Sequence, residues 1–270
     1  MNPVTRRASN LLWPVLAVVI ALALWQALTA GGVFRPDQFP TMSSTMVAFA
    51  EEFSSAKGWL AVWATLQGWF LGLVIASVAA LVLGSALAFS TFAFRSASTV
   101  IELFKAIPAI AILPLITLVL GSTLDMKVFL VAFGVFWPLI IQVIYGVRSM
   151  DPTVLDTAKA LGVRGVRRFL VVTVPSAAPY IATGLRIASA SALILAVVAE
   201  IIAGADGIGR QILLAQNGGM TTYPRMYAYI LMSGMLGLAL TGAFFLIERK
   251  AMHWHESQRN ITSNEERPAR

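Results

Sequence analysis

Leu66–Phe89 reads LQGWFLGLVIASVAALVLGSALAF, an apolar run without one charged side chain. A helix needs roughly 20 predominantly apolar residues to cross about 30 Å of hydrocarbon, so this run is long enough to span a bilayer. Outward from it, five more stretches have the same character: about Leu11–Ala30, Val100–Gly121, Phe129–Val147, Tyr180–Ala203 and Met226–Ile247. The composition agrees, with 58% of the 270 residues hydrophobic and 12% charged. Soluble chains are nearer 45–50% apolar and about a quarter charged. The expected fold is all-α, a polytopic membrane bundle of six transmembrane helices. Pro108 and Pro114 in the third span and Pro138 in the fourth are breakers that only a packed bundle tolerates, because neighbouring helices re-satisfy the freed backbone groups.

The loops orient the bundle. With the N-terminus inside, Arg6, Arg7, Arg95, Arg148, Lys159, Arg164, Arg167, Arg168, Arg249, Lys250, Arg259, Arg267 and Arg270 fall on the cytoplasmic side. Only Arg35, Lys57, Lys127, Arg210 and Arg225 fall outside. Lysine and arginine concentrate in cytoplasmic loops, so both termini are expected in the cytoplasm. Trp25, Trp59 and Trp63 then lie near the outer interface, Trp13 and Trp254 near the inner one. The net charge of +7 is thereby a topology signal and not a nucleic-acid surface. Arg6-Arg7 before an apolar run and small residues resembles a signal peptide, but the run is long for one, so the first span is expected to stay. The domain reading is a cytoplasmic tail 1–10, a permease domain 11–247 and a tail 248–270.

The loop 148–179 is the most informative polar segment. Asp151-Pro152 has the form of a helix start, with Asp as N-cap and Pro at the first helical position. Val154, Ala158 and Leu161 give one apolar face, and Gly162 is placed to end the helix in a left-handed conformation. A second short helix, about Arg164–Val172, carries Arg164, Arg167 and Arg168 beside Val166 and Phe169, and Pro175 and Pro179 close the loop before span five. Periodicity alone fits two readings: an amphipathic connector on anionic lipid, or a rigid docking element with apolar anchors and a charged rim.

This loop resembles the signature of ABC importer permeases, E-A-A, three residues, G, nine residues, I-x-L-P. The matching positions are Asp156-Thr157-Ala158, Gly162 and Val172-Thr173-Val174-Pro175, with the spacing kept and Ala158, Gly162 and Pro175 identical. Asp for Glu, Thr for Ala and Val for Ile and Leu are mild departures. Ile107 to Leu115, Phe136-Trp137-Pro138, Pro179-Tyr180-Ile181, Gly184-Leu185-Arg186, Ala199-Glu200 and Gly207-Ile208-Gly209 are similar to the nitrate/sulfonate/taurine branch.

The resemblance implies a type I, MetI-like permease that works as a homodimer with two ATPase subunits and an extracytoplasmic solute-binding protein. ATP and Mg would be bound by the ATPase and no cofactor by this chain. The loop would be the coupling element: Asp156, Ala158, Gly162 and Pro175 from the motif, Val163, Val166 and Phe169 as apolar contacts, Arg164, Arg167 and Arg168 as the rim. The solute would be small and polar or anionic (nitrate, taurine or an aliphatic sulfonate), with a pyrimidine-type vitamin precursor as the alternative within the branch.

Enzymatic chemistry finds no footing. The chain has no cysteine, no G-x-x-x-x-G-K-[ST] phosphate loop and no paired-carboxylate motif in a polar domain. His253 and His255, at i, i+2, point to different sides of a helix and make a poor metal site. A secondary transporter would call for inverted repeats or mid-membrane ion ligands, and neither is evident. Ionisable residues inside spans are functional candidates because they are costly there. Glu102 and Lys105, at i, i+3, can pair and with Arg186 lie near the inner surface, where long side chains snorkel; a structural role is expected. Glu200 either lines the pathway or gate, or hydrogen-bonds at the interface. Gly204–Gly209 with Asp206 either belongs to an outer gate or is a turn.

Overall fold

The computed structural model describes the backbone of residues 3–35 and 39–251 and the side chains of 12–35 and 39–250. The chain is helical throughout: α1 Pro3–Ala30, α2 Met42–Ser54, α3 Ala56–Phe89, α4 Thr91–Ala106, α5 Leu113–Leu120, α6 Leu124–Arg148, α7 Pro152–Ala160, α8 Gly165–Arg168, α9 Val174–Ala203, α10 Ile208–Asn217 and α11 Tyr223–Ala251. Five described helical segments are long and apolar enough to cross a membrane, six when the bent pair α4–α5 counts as one span.

The centre is α3, α6 and α9. Gly68, Gly72, Ala76, Ala80 and Gly84 recur every fourth residue and form one small-residue stripe along α3. A Cβ on Gly72 would lie 2.6 Å from Val131, and one on Gly84 3.0 Å from Val143, so α6 sits directly against the α3 backbone. Without a hydrophobic drive between helices in lipid, such close van der Waals approach is what holds them together. α9 repeats the device, since Gly184 faces Gln142 and Ala188, Ala192 and Ala196 are buried in the same core. The Trp69 indole N–H closes the triangle by donating to the Ser189 carbonyl at 3.0 Å.

α1 and α11 stand at the periphery, and large apolar side chains such as Leu118, Val119 and Phe92 are exposed. In water such surface would drive association; in lipid it is the ordinary outer face. Trp25 packs with Phe39 and Tyr227 and donates its indole N–H to the Pro40 carbonyl at 3.0 Å, pinning the link between α1 and α2. His253, His255 and Trp254 lie outside the described residues.

Three expectations need correction. The third span is not one helix from Val100 to Gly121: α4 and the segment Ala109–Leu120 meet at 76°. Pro108 lacks the N–H that would continue α4 and pushes the preceding Ile107 to φ −75°, ψ 118°; Pro114 then sits in the first turn of α5. Second, Pro175 and Pro179 do not close a loop. α8 continues through a π turn, Phe169–Thr173, straight into α9. Pro175 has no N–H to donate, and the turn widens so that Val174 bonds to the Phe169 carbonyl. Third, Glu102 and Lys105 are both exposed, and no ion pair joins them among the described residues.

Candidate functional site

The loop between α6 and α9 is built from its caps. Asp151 accepts a hydrogen bond from the Thr153 N–H at 2.8 Å, with Pro152 opening α7. That bond holds the exposed Asp151 carboxyl below the usual carboxylate range. α7 ends in a Schellman turn: the Val163 N–H bonds to Ala158 O at 2.9 Å and the Gly162 N–H to Lys159 O at 3.0 Å. Gly162 has φ +72° with open space where a Cβ would stand, so glycine is required there by conformation. Three residues on, Gly165 has φ +57°, a second left-handed break that the motif does not mark.

Among the expected contact residues Val166 is 75% exposed, and Leu161, from the apolar face of α7, is exposed to the same extent. Leu170 and Val171 are exposed as well, Arg164 and Arg167 are exposed, and Val163 is half-buried. Ala158 is buried under α7. Asp156 is solvated and pairs with Lys159 at 2.8 Å. Phe169 is turned inward, edge to face with Phe89 at the end of α3, and Arg168 lies over the same ring. Pro175 is in the first turn of α9, inside the helix that the loop becomes.

At the opposite end of the bundle a buried polar network joins four helices. Glu200 on α9 has no exposed surface and Lys127 on α6 is 2% exposed. The Lys127 ammonium donates to Glu200 Oε1 at 2.9 Å, Ala64 O at 2.7 Å and Asp206 O at 2.6 Å, which uses all three of its protons. Glu200 Oε2 accepts from Thr65 Oγ1 and from the Gly209 N–H, each at 2.9 Å. Thr65 accepts from the Ile208 N–H at 2.9 Å. The first turn of α10 is thus tied to α3, α6 and α9 together.

Glycines make the approach possible. A Cβ on Gly207 would fall 2.0 Å from the Glu200 carboxyl carbon, and one on Gly68 3.2 Å from the Lys127 side chain. The Asp206 side chain is exposed and pairs with Arg210, while only its backbone joins the network. Lys127, counted from the sequence among the residues outside the spans, is instead buried inside α6, and the loop reading of Gly204–Gly209 missed α10 altogether. A second cluster escaped notice: Glu52 on α2 binds Arg225 Nε at 2.6 Å and the buried Tyr229 hydroxyl at 2.5 Å on α11. Arg186 pairs with Glu248 at 3.2 Å, joining α9 to α11.

This architecture has relatives. Residues 72–253 match the family described as "Binding-protein-dependent transport system inner membrane component". The chain belongs to that family. The permease is 26% identical over 244 residues to a Bacillus subtilis protein assigned as the aliphatic sulfonates transport permease SsuC, covering 90% of this chain and 87% of that one. It is 27% identical over 230 residues to the nitrate import permease protein NrtB of Leptolyngbya laminosa, covering 83% and 82%. An inward-facing MetNI methionine ABC transporter structure superposes with a TM-score of 0.63 at 19% identity, over 73% of this chain and 98% of that one, which shows the fold. The permease is therefore a multi-pass inner-membrane protein of the type I, MetI-like class, an ABC importer permease similar to the nitrate and sulfonate branch.

Proposed function

We infer that this permease forms, as a homodimer, the membrane pathway for a small polar or anionic solute of the nitrate, taurine or aliphatic sulfonate class. Two ATPase subunits, which bind ATP and Mg, dock at the α7–α8 end in the cytoplasm, where both termini also lie. A solute-binding protein delivers from the other side, and Glu200 and Asp206 belong to the gate there. The observation that carries the reading is the α7–Gly162–α8 turn. With the π turn that follows, it presents Leu161, Val166, Leu170 and Val171 exposed beside Arg164 and Arg167, at the end of the bundle where basic residues concentrate.

Apolar anchors inside a charged rim are what a protein groove recognises. A lipid-surface connector would use the same residues but would not depend on one backbone angle at Gly162. The test is affinity purification of the tagged permease from its native membranes with identification of what co-elutes. A nucleotide-binding ATPase is expected with the wild type and lost on Gly162→Val or Val166→Asp. Isolation of a stable permease without ATPase, under conditions that keep other membrane complexes intact, would overturn the assignment.

A further inference from the structure

Between the broken third span and the middle of α6 and α9 lies a cavity of about 350 Å³. Phe104, Pro108, Phe133 and Trp137 wall it, and Lys105 and Ser191 supply polar side chains. Phe133 to Pro138 fall midway along α6, and Ser191 to Leu195 lie beyond the middle of α9, so the cavity sits well inside the membrane-spanning depth. Ile107 and Pro108, the extended residues of the break, line it too. Irregular backbone at membrane depth is tolerated where it borders a cavity or protein, which is where this break lies.

The chemistry of the wall is one-sided. Trp137 is stacked on Phe104, with ring centroids 4.8 Å apart, and meets Phe133 edge to face at 6.0 Å. These contacts fix its indole, whose Nε1–H is buried and has no hydrogen-bond partner among the described residues. Lys105 adds an ammonium that no described carboxylate pairs with. Among the described residues no carboxylate lines the cavity; Glu102 belongs to the adjoining one, of about 190 Å³, which shares Lys105. Donors and a cation without an acid select an anion. The volume, at the low end of ligand-pocket sizes, selects a small one.

We propose that this cavity is a solute subsite on the translocation path and takes a small oxyanion. Lys105 is its cationic partner, the Trp137 N–H is its donor, and the aromatic walls accept a short apolar tail. This rests on the permease reading above and deepens it, because it moves the solute contact from the sealed Glu200 network to residues at the broken span. Lys105, expected from its position to be structural, becomes a specificity-determining residue. Nitrate and a short alkanesulfonate share the oxyanion chemistry, and the tail-accepting walls decide between them.

The test uses the complete importer, permease with its co-purified ATPase and binding protein, in proteoliposomes. Uptake of labelled nitrate, ethanesulfonate and a neutral hydroxymethylpyrimidine is measured for the wild type and for Lys105→Met, Lys105→Arg and Trp137→Phe. The wild type is expected to accumulate an anion. Lys105→Met should cut uptake at limiting solute about ten-fold or more, the worth of a charged hydrogen bond, and Lys105→Arg should restore most of it. Trp137→Phe, which keeps an aromatic side chain but removes the indole N–H with its five-membered ring, should cut uptake several-fold. ATPase co-elution, the readout of assembly, should be retained in every variant. Anion uptake by Lys105→Met equal to wild type would overturn the subsite, as would a wild type that accumulates only the pyrimidine. Either result leaves the permease assignment standing while the ATPase co-elutes.

Discussion

Replacing Glu200 by Gln tests the buried network most directly, because it changes one oxygen for an NH₂ and little else. If the amide oxygen takes the Oε2 position, the NH₂ faces the Lys127 ammonium, donor against donor. If it takes the Oε1 position, the NH₂ faces the Gly209 N–H and leaves that donor without an acceptor. An unmatched buried donor costs about 1–3 kcal/mol, and removing one charge from a buried pair costs about 3–5 kcal/mol. Lys127 keeps two carbonyl acceptors, Ala64 O and Asp206 O, and an unfolded chain in a membrane finds substitute partners. The expected loss is therefore about 3 kcal/mol, at the lower end of that range. Adding Lys127→Met should recover part of the loss, because the uncompensated cation is gone; the coupling energy expected between neighbours of this kind is about 1–3 kcal/mol. The assay is reversible denaturation of the purified permease in mixed micelles, with hydrogen exchange at Ile208 and Gly209 as the local readout. Strictly additive single and double variants, or a Glu200→Gln variant as stable and as protected at α10 as the wild type, would refute the account.

Three shorter predictions follow from geometry elsewhere. Gly72→Ala puts a Cβ 2.6 Å from the Val131 side chain, so α3 and α6 must separate; overpacking of this kind costs about 1–3 kcal/mol and should appear as a lower melting temperature. Asp151→Ala removes the α7 cap and should raise hydrogen exchange at Thr153 and Val154. Because the Asp151 carboxyl is held below its ordinary range in the folded loop, the wild-type cap is present above the ordinary aspartate pKa and fades as pH falls through the lowered value, a protection loss that Asp151→Ala should not show. Since the chain has no native cysteine, Ser54→Cys and Ser149→Cys give clean topology labels. An impermeant maleimide outside intact cells should modify Ser54→Cys and spare Ser149→Cys, and the reverse would invert the orientation.

What could be read in advance follows from how local each signal is. The spans were legible because a bilayer demands long apolar runs, and the α7 caps because Asp151-Pro152 and Gly162 act on their own backbone neighbours. The small-residue stripe of α3 was also present in the sequence, every fourth residue from Gly68 to Gly84, as the mark of a helix that another helix must touch closely. Lys127 was not legible as a buried cation, since its partner Glu200 and its acceptors at Ala64 and Asp206 are distant in sequence. Gly207 and Gly209 were the available clue. Two glycines beside an intramembrane acid mark a close approach, and only the fold says that the acid is what approaches. The π turn stayed hidden for a different reason: Pro175 read as a helix terminator, whereas a helix already anchored on both sides widens by one residue and continues.

That continuity bears on how the two ends of the permease are related. From Val166 to Ala203 no residue leaves the helical path, and α9 alone, with its 30 residues, is about 45 Å long at 1.5 Å per residue. One end carries Arg167 and the exposed apolar face of the α7–α8 turn; the other carries Glu200, which grips the first turn of α10. A loop between docking surface and span would absorb motion in its own dihedrals. A helix does not, and α9 is further held along its length by the Trp69–Ser189 bond and the alanine face packed on α3 and α6. Its soft points, Pro179 in the second turn of α9 and the widened turn at Phe169–Thr173, lie towards the proposed docking surface and not beside the network. Displacement imposed on α8 therefore either bends that turn or moves the Glu200 end, and the packing of Phe169 against Phe89 at the foot of α3 stiffens the turn and favours the second.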